Sequence, residues 1–165
     1  MITRPSEATG EMEGAGRQSG AAARSASYET TLFIRDTCLC LASQRAARAL
    51  SRLFDEALKP AGITSGQFSL LTSLNRPHPP TIGSVANLLA MDRTTLTANL
   101  KPLERRGLVR TEVDPKDRRG RRLSLTPEGL SLLDAATPIW ERTHKEVEAK
   151  LADADVLRAG LSAIA

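Results

Sequence analysis

The stretch from residue 81 to residue 126 constrains the fold most, because it joins a two-faced helix to a short β-hairpin. The helix is predicted from about residue 93 to 106, with Asp92 placed to cap its first amides and Gly107 placed to end it. Its buried stripe is predicted from leucines at i, i+4 and i+7, namely Leu96, Leu100 and Leu103. Two short runs suited to strands follow, "LVRTEV" and "RRLSLT", with the tip "DPKDRRG" between them. The order predicts a helix, a strand, a tip and a second strand.

The opposite face of this helix carries short polar, methyl-bearing and cationic side chains. They are Arg93, Thr94, Thr97, Ala98 and Lys101. Groups of this kind read base edges and bind phosphates in a major groove. The pattern therefore indicates a helix that lies in a DNA groove.

Positive charge is concentrated in the same stretch. Residues 93 to 122 hold ten basic and four acidic side chains, a net charge of +6, whereas the whole chain carries only +4. The net charge of the rest of the chain is therefore −2, and the positive charge is concentrated in residues 93 to 122. Such a field predicts a polyanionic partner, and the alternative is a solvated basic face on a globular domain.

Two motifs in this stretch, "DRTTLTANLKPLERRGLV" and "DPKDRRGRRLSLTPEG", carry a family resemblance. Residues 30 to 165 resemble the MarR family (multiple antibiotic resistance regulators), which are winged helix-turn-helix transcription regulators. The resemblance implies a mainly α fold with a small β-wing, and a homodimer bound to double-stranded DNA. It further implies a repressor of a pseudo-palindromic operator, released by a small-molecule effector of unknown identity.

The resemblance also assigns roles to single residues. Thr94, Thr97 and Ala98 would contact bases. Phosphate or minor-groove contacts would come from the basic side chains of the helix and the wing, namely Arg93, Lys101, Arg118, Arg119 and Arg121. Asp117 would structure the wing by holding its arginines in ion pairs.

Four regions are expected along the chain. Residues 1–28 are rich in Gly, Ala and Ser and are predicted to be a flexible tail. Residues 30–60 form a first dimerisation helix, residues 61–126 form the winged helix-turn-helix domain, and residues 127–165 form C-terminal dimerisation helices. The two ends carry apolar stripes that the small central domain cannot cover, so a dimer interface is favoured over closure of a monomer core.

Other classes of protein receive little support from the sequence. No run approaches the roughly 18 apolar residues of a membrane span, and the N-terminus lacks the apolar segment of a signal peptide. A cytoplasmic protein with no membrane partner and with reduced thiols is expected. We find no Gly-rich phosphate loop, no metal-spaced cluster and no nucleophile near a base. No catalytic residue, metal or cofactor is therefore predicted.

The two cysteines leave an alternative open. On one helix, Cys38 and Cys40 would point about 160° apart, so neither a shared disulfide nor a shared metal is expected. Cys40 aligns with the peroxide-sensing cysteine of the organic-hydroperoxide regulators, a branch of the same family. The tyrosines that bond that thiol correspond here to Gln44, Phe54 and Ser65. Cys40 is thus either a small apolar residue at an interface or a redox switch. A thiol-dependent enzyme and a protein-binding adaptor are further alternatives.

Overall fold

The computed structural model describes residues 27–164, and those residues form seven α-helices and one two-stranded sheet. The helices are α1 (Tyr28–Thr37), α2 (Leu39–Leu58), α3 (Ser65–Leu74), α4 (Ile82–Leu88), α5 (Arg93–Arg105), α6 (Pro127–Glu148) and α7 (Ala154–Ser162). Strands β1 (Val109–Asp114) and β2 (Asp117–Leu125) lie between α5 and α6, and a 3₁₀ turn, Lys59–Ala61, follows α2. A mainly helical fold with a small β-wing confirms the predicted fold class.

The chain divides into two units after Leu39. In the first unit α1 begins at the predicted edge of the tail, where the Ser27 hydroxyl accepts the Thr30 N–H at 3.2 Å. The predicted flexible segment 1–28 otherwise lies outside the described residues. The second unit holds the remaining elements.

The single helix predicted over residues 30–60 is wrong, because the structure has two helices there. Cys38 ends α1 in an extended conformation (φ −72°, ψ 107°), and α2 starts at the next residue. No proline or glycine marks this break in the sequence. Near it the Thr37 hydroxyl donates to the Phe33 carbonyl at 2.7 Å, a local bond that competes with regular helix. The inference that Cys38 and Cys40 point apart on one helix therefore does not hold.

The core of the second unit is built on α3. Its start is a capping box, in which the Thr64 hydroxyl accepts the Gln67 N–H and the Gln67 side chain accepts the Thr64 N–H. The core around it is almost entirely aliphatic, and its largest fully buried side chains are Leu58, Leu70, Leu71, Val85, Leu96, Leu103 and Leu123. Because these side chains come from α2, α3, α4, α5 and β2, one core holds the four helices and the wing together.

The wing is a hairpin with a shorter tip than the sequence suggested. Strands β1 and β2 pair antiparallel from Val109↔Leu125 to Asp114↔Asp117, with an irregularity between Val113 and Asp114. Only residues 115 and 116 form the turn, so most of the predicted tip belongs to β2. The turn is tight because the Asp114 carboxylate accepts the Lys116 N–H at 2.9 Å.

Helix α6 approaches the base of the wing at Gly129. Thr126 caps α6, and its backbone N–H donates to the Leu108 carbonyl at 3.1 Å. A Cβ added at Gly129 would lie 2.0 Å from the same Leu108 oxygen. Only glycine fits this contact, which explains the glycine at the end of the motif "LSLTPEG".

Candidate nucleic-acid interface

Helix α5 is held against the core by one face and capped at its start. Asp92 accepts the Thr95 N–H at 2.8 Å and the Thr95 hydroxyl at 2.6 Å. These bonds, the hydroxyl first, hold the pKa of the Asp92 carboxyl below its usual range, so the cap stays ionised. The predicted stripe is buried as expected at Leu96, Leu100 and Leu103.

The opposite face of α5 is open to solvent. All five side chains predicted to face DNA are exposed: Arg93, Thr94, Thr97, Ala98 and Lys101. At 100° per residue, Thr94, Ala98 and Lys101 lie near the centre of the outer face, whereas Arg93 and Thr97 lie towards one side. The structure therefore presents Thr94, Thr97, Ala98 and Lys101 together on one surface. Arg93 lies at the edge of that surface, because it is seven residues from the buried Leu100 and so near the same side of the helix.

Two of these side chains lie close to other groups of the protein. The Thr97 hydroxyl donates to the Arg93 carbonyl at 2.7 Å, so its methyl group and a lone pair remain for a ligand. A Cβ added at Gly83 would meet Arg93 Nη2 at 3.0 Å, which places this guanidinium beside the backbone of α4. The Arg93 side chain therefore lies against the first helix of the helix-turn-helix.

Arg105 is a basic residue on the same face that the sequence reasoning did not assign to DNA. It is exposed, and it lies one turn beyond Lys101 on α5. Its position four residues after Lys101 was the sequence feature that could have placed it on this face.

The three wing arginines predicted to contact DNA, Arg118, Arg119 and Arg121, are exposed but differ in orientation. In β2, Arg119 and Arg121 share one face of the strand, and Arg118 belongs to the other face. The Arg121 guanidinium donates to the carbonyls of Arg118 (3.2 Å) and Gly120 (3.0 Å). Among residues 27–164 the side chains of Arg118 and Arg119 have no hydrogen bond or ion pair, so both are available to an anion.

Asp117 does not hold the wing arginines by ion pairing, contrary to the prediction. Its carboxylate accepts the Arg119 backbone N–H at 2.9 Å, a local turn bond. The ion pair is formed instead by Asp114 and Arg122, whose Oδ2 and Nε atoms are 3.0 Å apart. Hydrogen bonds from Arg122 first, and from the Lys116 N–H second, lower the pKa of the Asp114 carboxyl. Asp117 therefore shapes the backbone of the wing, and Asp114 carries the charge pairing.

The remaining candidate groups are placed as follows. Cys40 is exposed on α2, and Gln44 Nε2 donates to its Sγ at 3.2 Å. Ser65, another position aligned with a sensor tyrosine, bonds Asp55 rather than the thiol. Within residues 27–164 no three His, Cys, Asp or Glu side chains gather as a metal site. No helix in that part of the chain combines the length and the apolar character that crossing a membrane requires.

A paired α4–α5 motif, an exposed reading face and an adjacent cationic hairpin define a winged helix-turn-helix protein of the DNA-binding class. Comparison with known proteins agrees. The MarR family matches residues 63–120. The transcriptional regulator MosR of M. tuberculosis, solved in complex with DNA, is 36% identical, with 77% of this chain and 92% of that chain covered and a TM-score of 0.72. PcaV of Streptomyces coelicolor, solved in complex with its natural ligand, is 27% identical, with coverage of 79% and 91% and a TM-score of 0.68.

A curated relative, the transcriptional regulator HosA of Escherichia coli O111:H-, is 37% identical over 91 residues, which are 54% of this chain and 66% of HosA. The chain spans from about half to about two thirds of the curated relatives that it matches. The chain belongs to the MarR family, and these relatives are transcriptional regulators rather than enzymes.

Proposed function

We propose that this protein regulates transcription as a homodimer that binds a pseudo-palindromic operator and is released by a small molecule. One observation carries the DNA-binding part. The exposed face of α5 lies next in sequence to a hairpin on which Arg118, Arg119 and Arg121 are exposed, and this stretch alone carries a net charge of +6. The DNA complex of MosR supports the same use of the fold.

Base reading and phosphate binding fall to different residues in this proposal. Thr94, Thr97 and Ala98 contact bases, because their small polar or methyl groups fit the floor of a major groove. Cationic side chains contact phosphate or the minor groove, namely Arg93, Lys101, Arg118, Arg119 and Arg121. Asp117 supports them by ordering the wing backbone.

The homodimer is argued from apolar side chains that the described chain leaves uncovered. On α2, Leu50 and Leu53 are exposed, and on α7 so are Leu157 and Leu161. Exposed apolar surface of this kind marks an interface in a soluble protein. Pairing about a two-fold axis covers it with a second copy, and such a dimer reads two half-sites about 34–36 Å apart. Regions 30–60 and 127–165 are thus proposed as dimerisation segments around the winged helix-turn-helix of residues 61–126.

The effector site is proposed at the aromatic side chains between α3 and α6. Trp140 packs on Phe68 with ring centroids 6.0 Å apart, and both line three adjacent cavities. The largest of these measures about 450 Å³ and opens beside Arg76 and Leu88. A flat aromatic acid fits this lining, because the rings offer stacking and the arginine offers charge. The ligand releases the protein from DNA if it favours a dimer geometry that misfits the operator. We propose that the protein acts as a repressor while it is bound.

The DNA assignment is tested with a labelled 30-base-pair duplex that the wild-type protein enriches from a random-sequence library. Thr94→Ala should lose roughly 1–3 kcal/mol of binding free energy on this duplex and little on mixed-sequence DNA. Arg119→Ala should weaken binding to both and lower the salt slope by about one unit. Arg142→Ala makes the same charge change on the exposed surface of α6 and should alter neither quantity. Failure to enrich any duplex would favour the protein-binding adaptor.

The effector assignment is tested through the only tryptophan in the chain. A panel of small aromatic acids is titrated while Trp140 fluorescence and release of labelled DNA are recorded together. A compound that quenches Trp140 and releases DNA over the same concentration range supports the site. Release without any change in Trp140 fluorescence would contradict it.

A thiol switch at Cys40 is the second candidate for the trigger. The observation in its favour is an exposed sulfur that accepts an amide hydrogen bond from Gln44. Such a bond to sulfur is weaker than the phenolic bonds of a dedicated sensor, so the ligand trigger is preferred.

A further inference from the structure

Arg122 is the one wing arginine whose guanidinium is engaged on two sides within the described chain. Its Nε lies 3.0 Å from Asp114 Oδ2, and its Nη1 donates to the Pro79 carbonyl at 2.8 Å. The Asp114 side chain is only 7% exposed and that of Arg122 only 30%. A charge pair this enclosed is ordered, unlike an exposed surface pair.

Backbone bonds reinforce the same junction. The Leu123 N–H donates to the Pro80 carbonyl at 2.9 Å, and Thr81 forms an isolated antiparallel bridge with Arg122. Thr81 in turn caps α4, because its hydroxyl accepts the Ser84 N–H at 3.1 Å. Arg122 therefore connects the hairpin directly to the start of the helix-turn-helix.

The orientation of β2 follows from this anchor. Side chains alternate along a strand, so Arg122 belongs to one face and Arg119 and Arg121 belong to the other. Fixing Arg122 against Pro79 thereby determines the direction in which Arg119 and Arg121 project. A hairpin attached only through its two ends would twist more freely.

We propose that Arg122 is a positioning residue for DNA binding, which clamps Asp114 and the Pro79 carbonyl so that Arg119 and Arg121 reach the duplex. The inference rests on the proposed function, because it assumes that the wing contacts DNA. It assigns Arg122 no contact with DNA, although its charge suggests one. The Asp114–Arg122 pair thus does the work first attributed to Asp117.

The direction in which one substitution changes the affinity for DNA distinguishes a positioning role from a purely electrostatic effect. Asp114→Asn removes a negative charge from the wing, so electrostatics alone predicts tighter binding to DNA. It keeps an oxygen for the Lys116 N–H but places an amide N–H against the Arg122 Nε–H. The clamp is then lost, and positioning predicts weaker binding.

The experiment measures anisotropy of the enriched duplex across several salt concentrations for Asp114→Asn, Arg122→Met, the double variant and Arg122→Lys. We expect each single variant to lose on the order of tenfold in affinity, as for a misplaced wing contact, and the double variant to lose no more. Asp114→Asn removes no cation, so a shallower salt slope in it reports wing arginines that no longer reach DNA. Arg122→Lys should recover only part of the affinity, because one ammonium cannot match the fork of the guanidinium.

Glu112→Gln is the matched control. Glu112 is an exposed acid on β1 that lies opposite Arg122 in register, yet its ion pair is a loose one to Arg110 at 3.8 Å. It removes the same charge as Asp114→Asn without touching the clamp, so its affinity should equal or exceed that of the wild type. Thermal unfolding of every variant tests whether each is folded.

The outcomes distinguish a failure of the Arg122 clamp from a failure of the proposed contact between wing and DNA. If Asp114→Asn binds as tightly as Glu112→Gln while Arg119→Ala is weakened, the wing contacts DNA and the clamp is refuted. If Arg119→Ala is also unaffected, the wing assignment in the proposed function fails. If Arg122→Met lowers the salt slope but Asp114→Asn does not, Arg122 contacts phosphate directly and the positioning role is overturned.

Discussion

Replacing Gly129 with alanine tests the closest approach in the fold, where α6 meets the base of the wing. The added Cβ would lie 2.0 Å from the Leu108 oxygen, whereas carbon and oxygen normally approach to about 3.3 Å. Helix and wing base must therefore separate by more than an ångström. That movement strains the bonds from Thr126, whose N–H and hydroxyl donate to the carbonyls of Leu108 (3.1 Å) and Gly107 (2.6 Å).

The size of the effect follows from three contributions. Overpacking of a buried site costs roughly 1–3 kcal/mol, and each weakened hydrogen bond costs about 1 kcal/mol. Alanine offsets about 1 kcal/mol of this through its helix propensity. The free energy of unfolding should fall by a net amount of about 3 kcal/mol, which lowers the melting temperature by roughly 6–12 °C in a chain of this length.

Urea unfolding followed by circular dichroism at a fixed protein concentration measures this change. Gly66→Ala is the control, because the nearest atom to its added Cβ is Thr64 Oγ1 at 3.9 Å, an ordinary contact in the first turn of α3. The control should unfold within about 1 kcal/mol of the wild type. A Gly129→Ala protein whose stability matches that of Gly66→Ala would refute the close approach of α6 to Leu108.

Three further predictions concern the dimer, the acid response and the thiol. Deleting residues 152–165 should lower stability and operator affinity together, as sedimentation equilibrium and anisotropy would report, whereas deleting residues 1–27 should change neither. Bonds from the Ser65 hydroxyl and N–H lower the pKa of the Asp55 carboxyl in the folded state. The ionised Asp55 therefore contributes stability above its unfolded pKa of about 3.8, and this contribution is lost as pH falls through its folded pKa. In urea titrations the wild type should be more stable than Asp55→Asn at neutral pH, and this difference should shrink in acid. Cys40→Ser should bind the enriched duplex as tightly as the wild type does. If stoichiometric organic hydroperoxide rapidly released the wild type from DNA but not the variant, the trigger would be the thiol switch and not the ligand.

Features set by neighbouring residues were predictable from the sequence. The capping box of Thr64 and Gln67, the Asp92 cap and the leucine stripe of α5 all depend on spacings of three or four residues. The exposed face of α5 followed from the same periodicity, since burial of one face leaves the other to solvent. The order of helix, strand and strand was predictable from the same local patterns, whereas the winged fold was implied by the resemblance of two motifs to the MarR family.

Features that join distant segments were decided only by the tertiary structure. Arg122 donates to the Pro79 carbonyl 43 residues away, a contact that no local sequence pattern indicates. Asp114 and Asp117 are both acids at the wing tip, and only the hairpin register determines which of them faces Arg122. The break at Cys38 has no proline or glycine to announce it. Local sequence fixes the energy of a single turn or cap, whereas the pairing of a charge or the fit of a glycine depends on which surfaces the folded chain brings together.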